Sequence, residues 1–474
     1  MARPNFLFIM SDDHSAEAVS SYGSRINRTP NIDRIAENGI KFENCFCTNS
    51  ICAPSRATIL TGKYSHLNGV KTLNDTMDGR QQTFPKLLQE SGYQTAMIGK
   101  WHLGHGGINN PSGFDYWNVL PGQGRYHNPQ MIDMGEEKIY QGYVTDVITD
   151  LSLEWLQDRE GDAPFCLMCH HKAPHSPWQP DEKHAHMYED EDIQEPESFD
   201  DDYSGHARAA SVAQQRMVDL RPECVKAEPP STLSNEELKK WNYQHFVKDY
   251  LRCVASLDDN VGRMLDFLEE EGLMDNTVVI YTSDQGFFLG EHGWYDKRFM
   301  YEESLRMPFV ASFPEEIDEG SICEDIILNL DFAPTFLDYA DIKVPEDIQG
   351  RSLRPLLRGE DVNDWRQSMY YRYWMHLAHH YVYAHYGIRT ERYKLIYYYA
   401  QAMGASGAIG ESKQPEWELF DLKEDPFEMN SLYKDPSYAD KIEQLQGRLH
   451  SLRRCFKEDK KDDPFLSYRM KFLR

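Results

Sequence analysis

No apolar run in this sequence approaches the roughly 18 residues that a membrane-spanning helix needs, and the first one, Phe6 to Met10, is too short for the apolar core of a secretory signal. The chain is therefore expected to be soluble, to have no membrane partner and to be cytoplasmic. A chain stripped of a leader would read the same and would belong in the periplasm or outside the cell. Cysteine is scarce and odd in number, nine in 474 residues, which argues against a disulfide framework. Cys166 and Cys169 form a C-x-x-C, but it sits inside the apolar run Phe165 to Cys169 and no second pair exists, so strand packing outweighs a zinc or redox motif. Positive charge is also in deficit. Lys and Arg number 50 against 77 Asp and Glu, and the net −27 repels phosphate backbones, which excludes general nucleic-acid binding and obliges any anionic substrate to find a local cationic pocket. No internal repeat and no long Gly/Ser linker occur, which removes the solenoid class.

What is present is a globular composition, 40% hydrophobic and 12% aromatic, on a chain long enough for one large α/β domain with an appendage. Short apolar runs typical of buried strands recur at Asn5 to Met10, Thr95 to Ile98, Phe165 to Cys169 and Val278 to Thr282. Between them lie helical patterns at Pro30 to Asn38, Phe84 to Ser91 with a Thr83 cap, Tyr143 to Gln157, and a long amphipathic stretch from Glu236 to Glu271. That alternation reads as an α/β sheet. The acidic segment Glu189 to Asp202 reads as a solvated surface loop rather than a cation site. After Trp365 the texture changes to Tyr/His-rich runs, Met369 to Tyr386 and Tyr393 to Tyr399, then Leu419 to Leu422 and a final helix near Tyr438 to Arg453. We expect a catalytic domain over 1–365 and a small α+β subdomain, a small antiparallel sheet and a helix, over 366–474.

Polar residues fall just past the four apolar runs: Asp12 and Asp13, then Lys100 and His102, then His175, then Asp284 and Gln285. Ligands of open α/β sheets bind beyond the carboxyl ends of strands, so four such ends imply one convergent site. Adjacent Asp12 and Asp13 repel one another, and burial adds to the cost unless a cation lies between them. Oxygen donors from Asp12, Asp13, Asp284 and the Gln285 amide suit Ca²⁺, or Mg²⁺, rather than Zn²⁺. A fifth element is Cys52-Ala53-Pro54-Ser55-Arg56, running on to Leu60-Thr61-Gly62. Its proline and the helix formers after it put Cys52 at a helix N-terminus, where backbone N–H groups favour an anion, and Arg56 one turn on points to the same end.

The C-x-P-S-R-x-x-x-L-T-G pattern resembles the signature of the formylglycine-dependent type I sulfatases, members of the alkaline phosphatase-like superfamily. The resemblance extends along the chain. Asn5 to Asp13 is similar to the family's first strand and acid pair, Gly99 to His102 to its basic pair, Ala173 to His175 to its substrate histidine, and Ser283 to Gly286 with Lys297 to its second metal segment. Gln285 departs from the more usual Asn but keeps the amide oxygen. The resemblance implies a large mixed, mostly parallel sheet sandwiched by helices. It implies too that a maturation enzyme oxidises Cys52 to formylglycine, whose hydrate attacks sulfur with one oxygen on the cation, making Cys52 a metal ligand as well.

On the same basis Arg56, Lys100, Lys297 and His175 hold the sulfate, His175 is the preferred proton donor to the leaving alcohol, and His102 takes the proton that lets the sulfated intermediate collapse. The segments Gly290 to Gly293 and Asp296 to Arg298 resemble carbohydrate sulfatases acting on N-acetylglucosamine 6-sulfate or uronate 2-sulfate, with His292 and Arg298 as substrate ligands. The expected substrate is a sulfated sugar or small molecule. A phosphonate monoester or phosphodiester hydrolase using the same nucleophile is the competing enzyme, and a silent binding protein with unmodified Cys52 the competing class.

Overall fold

The sheet is built from runs so apolar that they must be covered on both faces. The computed structural model describes residues 3–458. Ten strands form the main sheet: β1 Asn5–Ser11, β2 Ile40–Phe42, β3 Gln94–Lys100, β4 Tyr116–Leu120, β5 Gln130–Asp133, β6 Glu136–Ile139, β7 Phe165–His170, β8 Thr277–Ser283, β9 Phe309–Ser312 and β10 Ser321–Cys323. They lie in the order β10-β2-β9-β8-β1-β7-β3-β4-β5-β6. The central strands β8, β1, β7, β3 and β4 are mutually parallel, with antiparallel pairs toward both edges. The sheet is thus large, mixed and mostly parallel, as expected.

Every residue of β1 is buried, and its side chains alternate between two cores: Leu7 and Ile9 face one, Phe6, Phe8 and Met10 the other. Burial of each of these side chains contributes about 2–3 kcal/mol. The first face is covered by α1 Pro30–Glu37, α4 Val144–Gln157 and the 36-residue α5 Asn235–Glu270, the second by α2 Cys52–Thr61, α3 Phe84–Glu90 and α6 Phe332–Tyr339. A capping box of Ser234 and Glu237 starts α5. Thr83 precedes α3 but makes no side-chain cap there. The α1 N-terminus is capped from a distance instead: the Asp258 carboxylate, on α5, accepts from the Asn31 and Ile32 amides at 3.1 and 2.8 Å.

Four further strands, β11 Ser368–Tyr373, β12 His385–Thr390, β13 Tyr393–Tyr398 and β14 Glu416–Asp421, form a separate antiparallel sheet, against which α7 Ala439–Cys455 packs. The Met369 to Tyr386 run is therefore two strands, parted by a loop that carries His379 and His380. Cys166 and Cys169 pack into opposite cores of the main sheet. The acidic segment departs from a purely solvated loop at its end, where Ser198, Phe199 and the Asp201 side chain are buried. Among the described residues no helix is long and apolar enough to cross a membrane.

Candidate active site

The carboxyl ends of the adjacent strands β8, β1, β7 and β3 bring the expected residues together. Close approach of β3 to β7 depends on Gly99, whose φ is 103° and where a Cβ would lie 1.9 Å from the His170 carbonyl oxygen. Ligand atoms of Asp12, Asp13 and Asp284 lie within 4.8 Å of one another, and so do those of Asp12, Cys52 and His175. Each carboxylate meets a cation: Asp12 accepts from Lys100, Asp13 from Lys297, and Asp284 from Arg56 Nε at 2.9 Å. The Gln285 Nε2 group donates to Asp13 Oδ1 at 2.5 Å. Cys52 opens α2, almost wholly buried, with Ile51 as the cap residue and Gly62 closing the helix in the left-handed conformation.

This donor set fits a hard divalent cation. Asp12 Oδ1 and Gln285 Oε1 are buried without a hydrogen-bond partner among the described residues, a costly state that an oxygen-seeking ion relieves. Titration points the same way. Burial, with repulsion from Asp12, pushes Asp13 up to about 6 and Asp284 up to about 7, whereas for Asp12 burial is outweighed by Lys100, His175 and Arg56, which hold its carboxyl well below the usual range. Asp13 and Asp284 are thus harder to ionise than free carboxylates, a cost that a bound cation offsets.

The imidazole of His175 donates from Nδ1 to the Ser176 carbonyl at 2.7 Å, which turns Nε2 toward Asp13 Oδ2, 3.7 Å away. Burial and Lys100 push its proton affinity well down, so an arriving anion is what restores a proton to Nε2. His102 has a φ of 56°, and its Nδ1 is buried without a hydrogen-bond partner among the described residues. Burial and Lys100 also depress its proton affinity. Burial raises the Cys52 thiol against the pull of Lys100 and Lys297, which makes an unmodified thiolate a poor nucleophile here.

Above these groups opens a cavity of about 430 Å³, within the usual range for small-ligand sites. Cys52, Asp13, His175, Lys297 and Arg298 are on its wall, whereas Asp12, Arg56, Lys100, Asp284 and Gln285 are not. His292, expected at the substrate, lies elsewhere. It is fully buried, with Nδ1 2.7 Å from Asp201 Oδ2, in a cluster where His206 bridges Asp201 and the Tyr301–Glu418 pair. Arg298 donates from Nη2 to Asp296 Oδ2 at 3.0 Å. Its Nε and Nη1, and Asp296 Oδ1, have no hydrogen-bond partner among the described residues.

Sequence reasoning missed several members of this site. Asp296 is steadied by His380 Nε2 at 2.7 Å. Gln123 accepts from Lys100, and His379 and Lys172 line the cavity. Lys172 had a usable signal, since it follows the same strand end as His175. Gln123 had none, being brought in by a loop, whereas His379 stands in the Tyr370 to His385 run, whose aromatic and imidazole groups could serve a sugar but whose alternation reads more readily as a strand face.

Comparison with known proteins agrees with this arrangement. The Sulfatase family description matches residues 4–342, and N-sulphoglucosamine sulphohydrolase, C-terminal, matches residues 290–455. An N-acetylglucosamine-6-O-sulfatase of Bacteroides thetaiotaomicron is 42% identical over 507 aligned residues, covering 97% of this chain and 88% of that protein. A solved structure of a protein in complex with its substrate D-glucosamine-2-N,6-O-disulfate superposes with a TM-score of 0.90 at 42% identity, over 98% of this chain and 100% of that one. A phosphonate monoester hydrolase from Silicibacter pomeroyi shares the fold, with a TM-score of 0.75 at 20% identity over 95% of each chain. With a match over most of its length and a buried cysteine beside an oxygen-lined cation cradle, the chain belongs to the sulfatase family of sulfuric ester hydrolases.

Proposed function

We propose that the protein removes the 6-O-sulfate from a glucosamine-type sugar, with Cys52 matured to formylglycine and Ca²⁺ held by Asp12, Asp13, Asp284 and Gln285. The observation that carries this reading is the buried convergence of three carboxylates and an unpartnered Gln285 Oε1 beside Cys52, which with Asp13 lines a sugar-sized cavity. In that role the oxidised residue supplies an oxygen nucleophile and the cation supplies positive charge beside it. The rest is done by the chain's own side chains. Lys297 faces the cavity and, with Lys100 and Arg56 beneath it, offsets the negative charge of the sulfuryl oxygens. His175 Nε2 hands its proton to the departing alcohol oxygen, and His102 manages a proton near Lys100.

The sugar assignment draws on the curated relative and the solved structure at 42% identity and on chemistry at the wall. Arg298 and Asp296 both line the cavity, and Arg298 Nε and Nη1 lack a hydrogen-bond partner among the described residues, a polar pair that suits sugar hydroxyls. The cavity's size favours a terminal sugar over the interior of a long chain. A panel of defined sulfated mono- and disaccharides tests the substrate, after peptide mass has established formylglycine at residue 52. Matched nitrophenyl sulfate, phosphate and phosphonate esters on the same preparation test the chemistry. Preference for the phosphonate would favour the competing hydrolase, whose fold is shared.

A further inference from the structure

Four lysines are almost wholly buried among the described residues: Lys100, Lys172, Lys297 and Lys394. Three of them are paired with carboxylates. Lys100 meets Asp12, Lys297 meets Asp13, and Lys394 lies between Glu302 and Glu428 at 2.8 and 2.7 Å. Lys172 is the exception. Only 1% exposed, it has no carboxylate within 4 Å among the described residues, and the hydrogen bond it does make, from Nζ to the Ser176 carbonyl, is long at 3.3 Å. Its ammonium otherwise sits over the Tyr126 ring, 4.7 Å from the centroid. A buried ammonium carries three donors and a large desolvation cost, and this one has no direct ion-pair partner among the described residues to offset it.

The wall on which it lies indicates what supplies that partner. Lys172 lines the cavity together with Cys52 and His175, and the Ser176 carbonyl that it touches also accepts from His175 Nδ1. Tyr126, beneath the ammonium, donates to the His175 carbonyl at 2.7 Å, so one set of bonds fixes both side chains. Imidazole and ammonium are therefore neighbours on one wall of the cavity. Resting on the sulfate-ester reading above, we propose that Lys172 is a further catalytic residue, whose ammonium stabilises the negative charge that develops on the bridging oxygen of the substrate. As the nucleophile's new bond to sulfur forms, the bond from sulfur to the bridging oxygen breaks and its electron pair stays on that oxygen. His175 supplies the proton, and Lys172 supplies charge without transferring one. Its value is greatest where the leaving oxygen is most basic.

Lys172→Met, with Lys172→Gln as a second variant, should be compared with wild type at equal formylglycine content. The substrates are 4-nitrophenyl sulfate, phenyl sulfate and glucosamine 6-sulfate, whose leaving groups become steadily less able to carry charge. Wild-type turnover of the three esters checks the sulfate-ester reading by itself; its absence on all of them would bring down that reading and this one with it, and its absence on the sugar ester alone would overturn this one. With it present, kcat/KM in both variants is expected to fall less than about tenfold on the nitrophenyl ester and on the order of 100-fold or more on the sugar ester, with phenyl sulfate between. An equal loss on all three esters, a loss confined to KM, or no loss would overturn the assignment, whatever happens to the melting temperature.

Discussion

Removing the divalent cation should make this protein less stable as the pH rises. In the cation-free chain Asp13 is raised to about 6 and Asp284 to about 7, first by burial and then by neighbouring carboxylates, from an ordinary 3.8. At 1.36 kcal/mol per unit these shifts correspond to about 3 and about 4 kcal/mol. Both pKa values are higher folded than unfolded, so between pH 4 and 7 the folded state binds more protons, and stability falls as pH rises until the full penalty stands above about pH 7. Asp12 titrates below this window and leaves the slope alone. For a chain of this length about 1–2 °C accompanies each kcal/mol, so chelated protein should lose on the order of 5–10 °C of melting temperature between pH 5 and 8, relative to calcium-loaded protein over the same range. The loaded reference removes the contribution of groups such as His206 that titrate in both forms. Calcium affinity should also fall below about pH 6, as protons compete for the same oxygens. Differential scanning calorimetry with EDTA or excess calcium at four pH values measures both effects. Parallel curves for the two forms, or a chelated form that gains stability with pH, would refute the reasoning.

Cys52→Ala should abolish turnover of any sulfate ester while shifting the melting temperature by only about 2 °C, since a single sulfur is lost at a helix start; residual wild-type activity would remove residue 52 from the chemistry. Lys100→Ala should reduce kcat/KM by about 2–4 kcal/mol of transition-state stabilisation, read from steady-state kinetics on a formylglycine-verified sample. Arg298→Ala should cost the sugar ester at least about 100-fold and nitrophenyl sulfate less than about fivefold, because on the proposed reading Arg298, a residue of the cavity wall, meets the sugar rather than the sulfur. Burial works against the proton on His206, but Asp201 and Glu418 outweigh it and raise the group to about 10. The stabilisation is therefore complete below pH 6.5 and lost as pH rises through about 10, and His206→Gln should lower the melting temperature more at pH 6 than at pH 9.5.

Much of the scaffold is legible locally. Runs such as Asn5 to Met10 and Val278 to Thr282 are too apolar to face water on either side, so they form strands whose observed ends fall within a residue or so of the pattern. Pro54 and the helix formers after it likewise start α2 at Cys52. The loop within Met369 to Tyr386 was not legible, because residues 374–384 contain no Gly, Pro or Asn to punctuate it; positive φ at Leu377, His380 and Tyr381 turns the chain instead. That loop brings His379 and His380 to the cavity. Local pattern also failed for charged and polar groups. The sequence placed His292 with the substrate, but the structure seals it against Asp201, 91 residues away. The α1 N-terminus is satisfied by Asp258, 226 residues from Ile32. Lys172 stands three residues before His175 in plain view, yet only the folded chain reveals that no carboxylate accompanies it. The sequence determined which segments avoid water and with what period, since that depends on neighbours along the chain. Which charges are paired, which stay open to a ligand and which atoms need a cation was decided by the tertiary structure, because desolvation and Coulomb energy depend on neighbours in space.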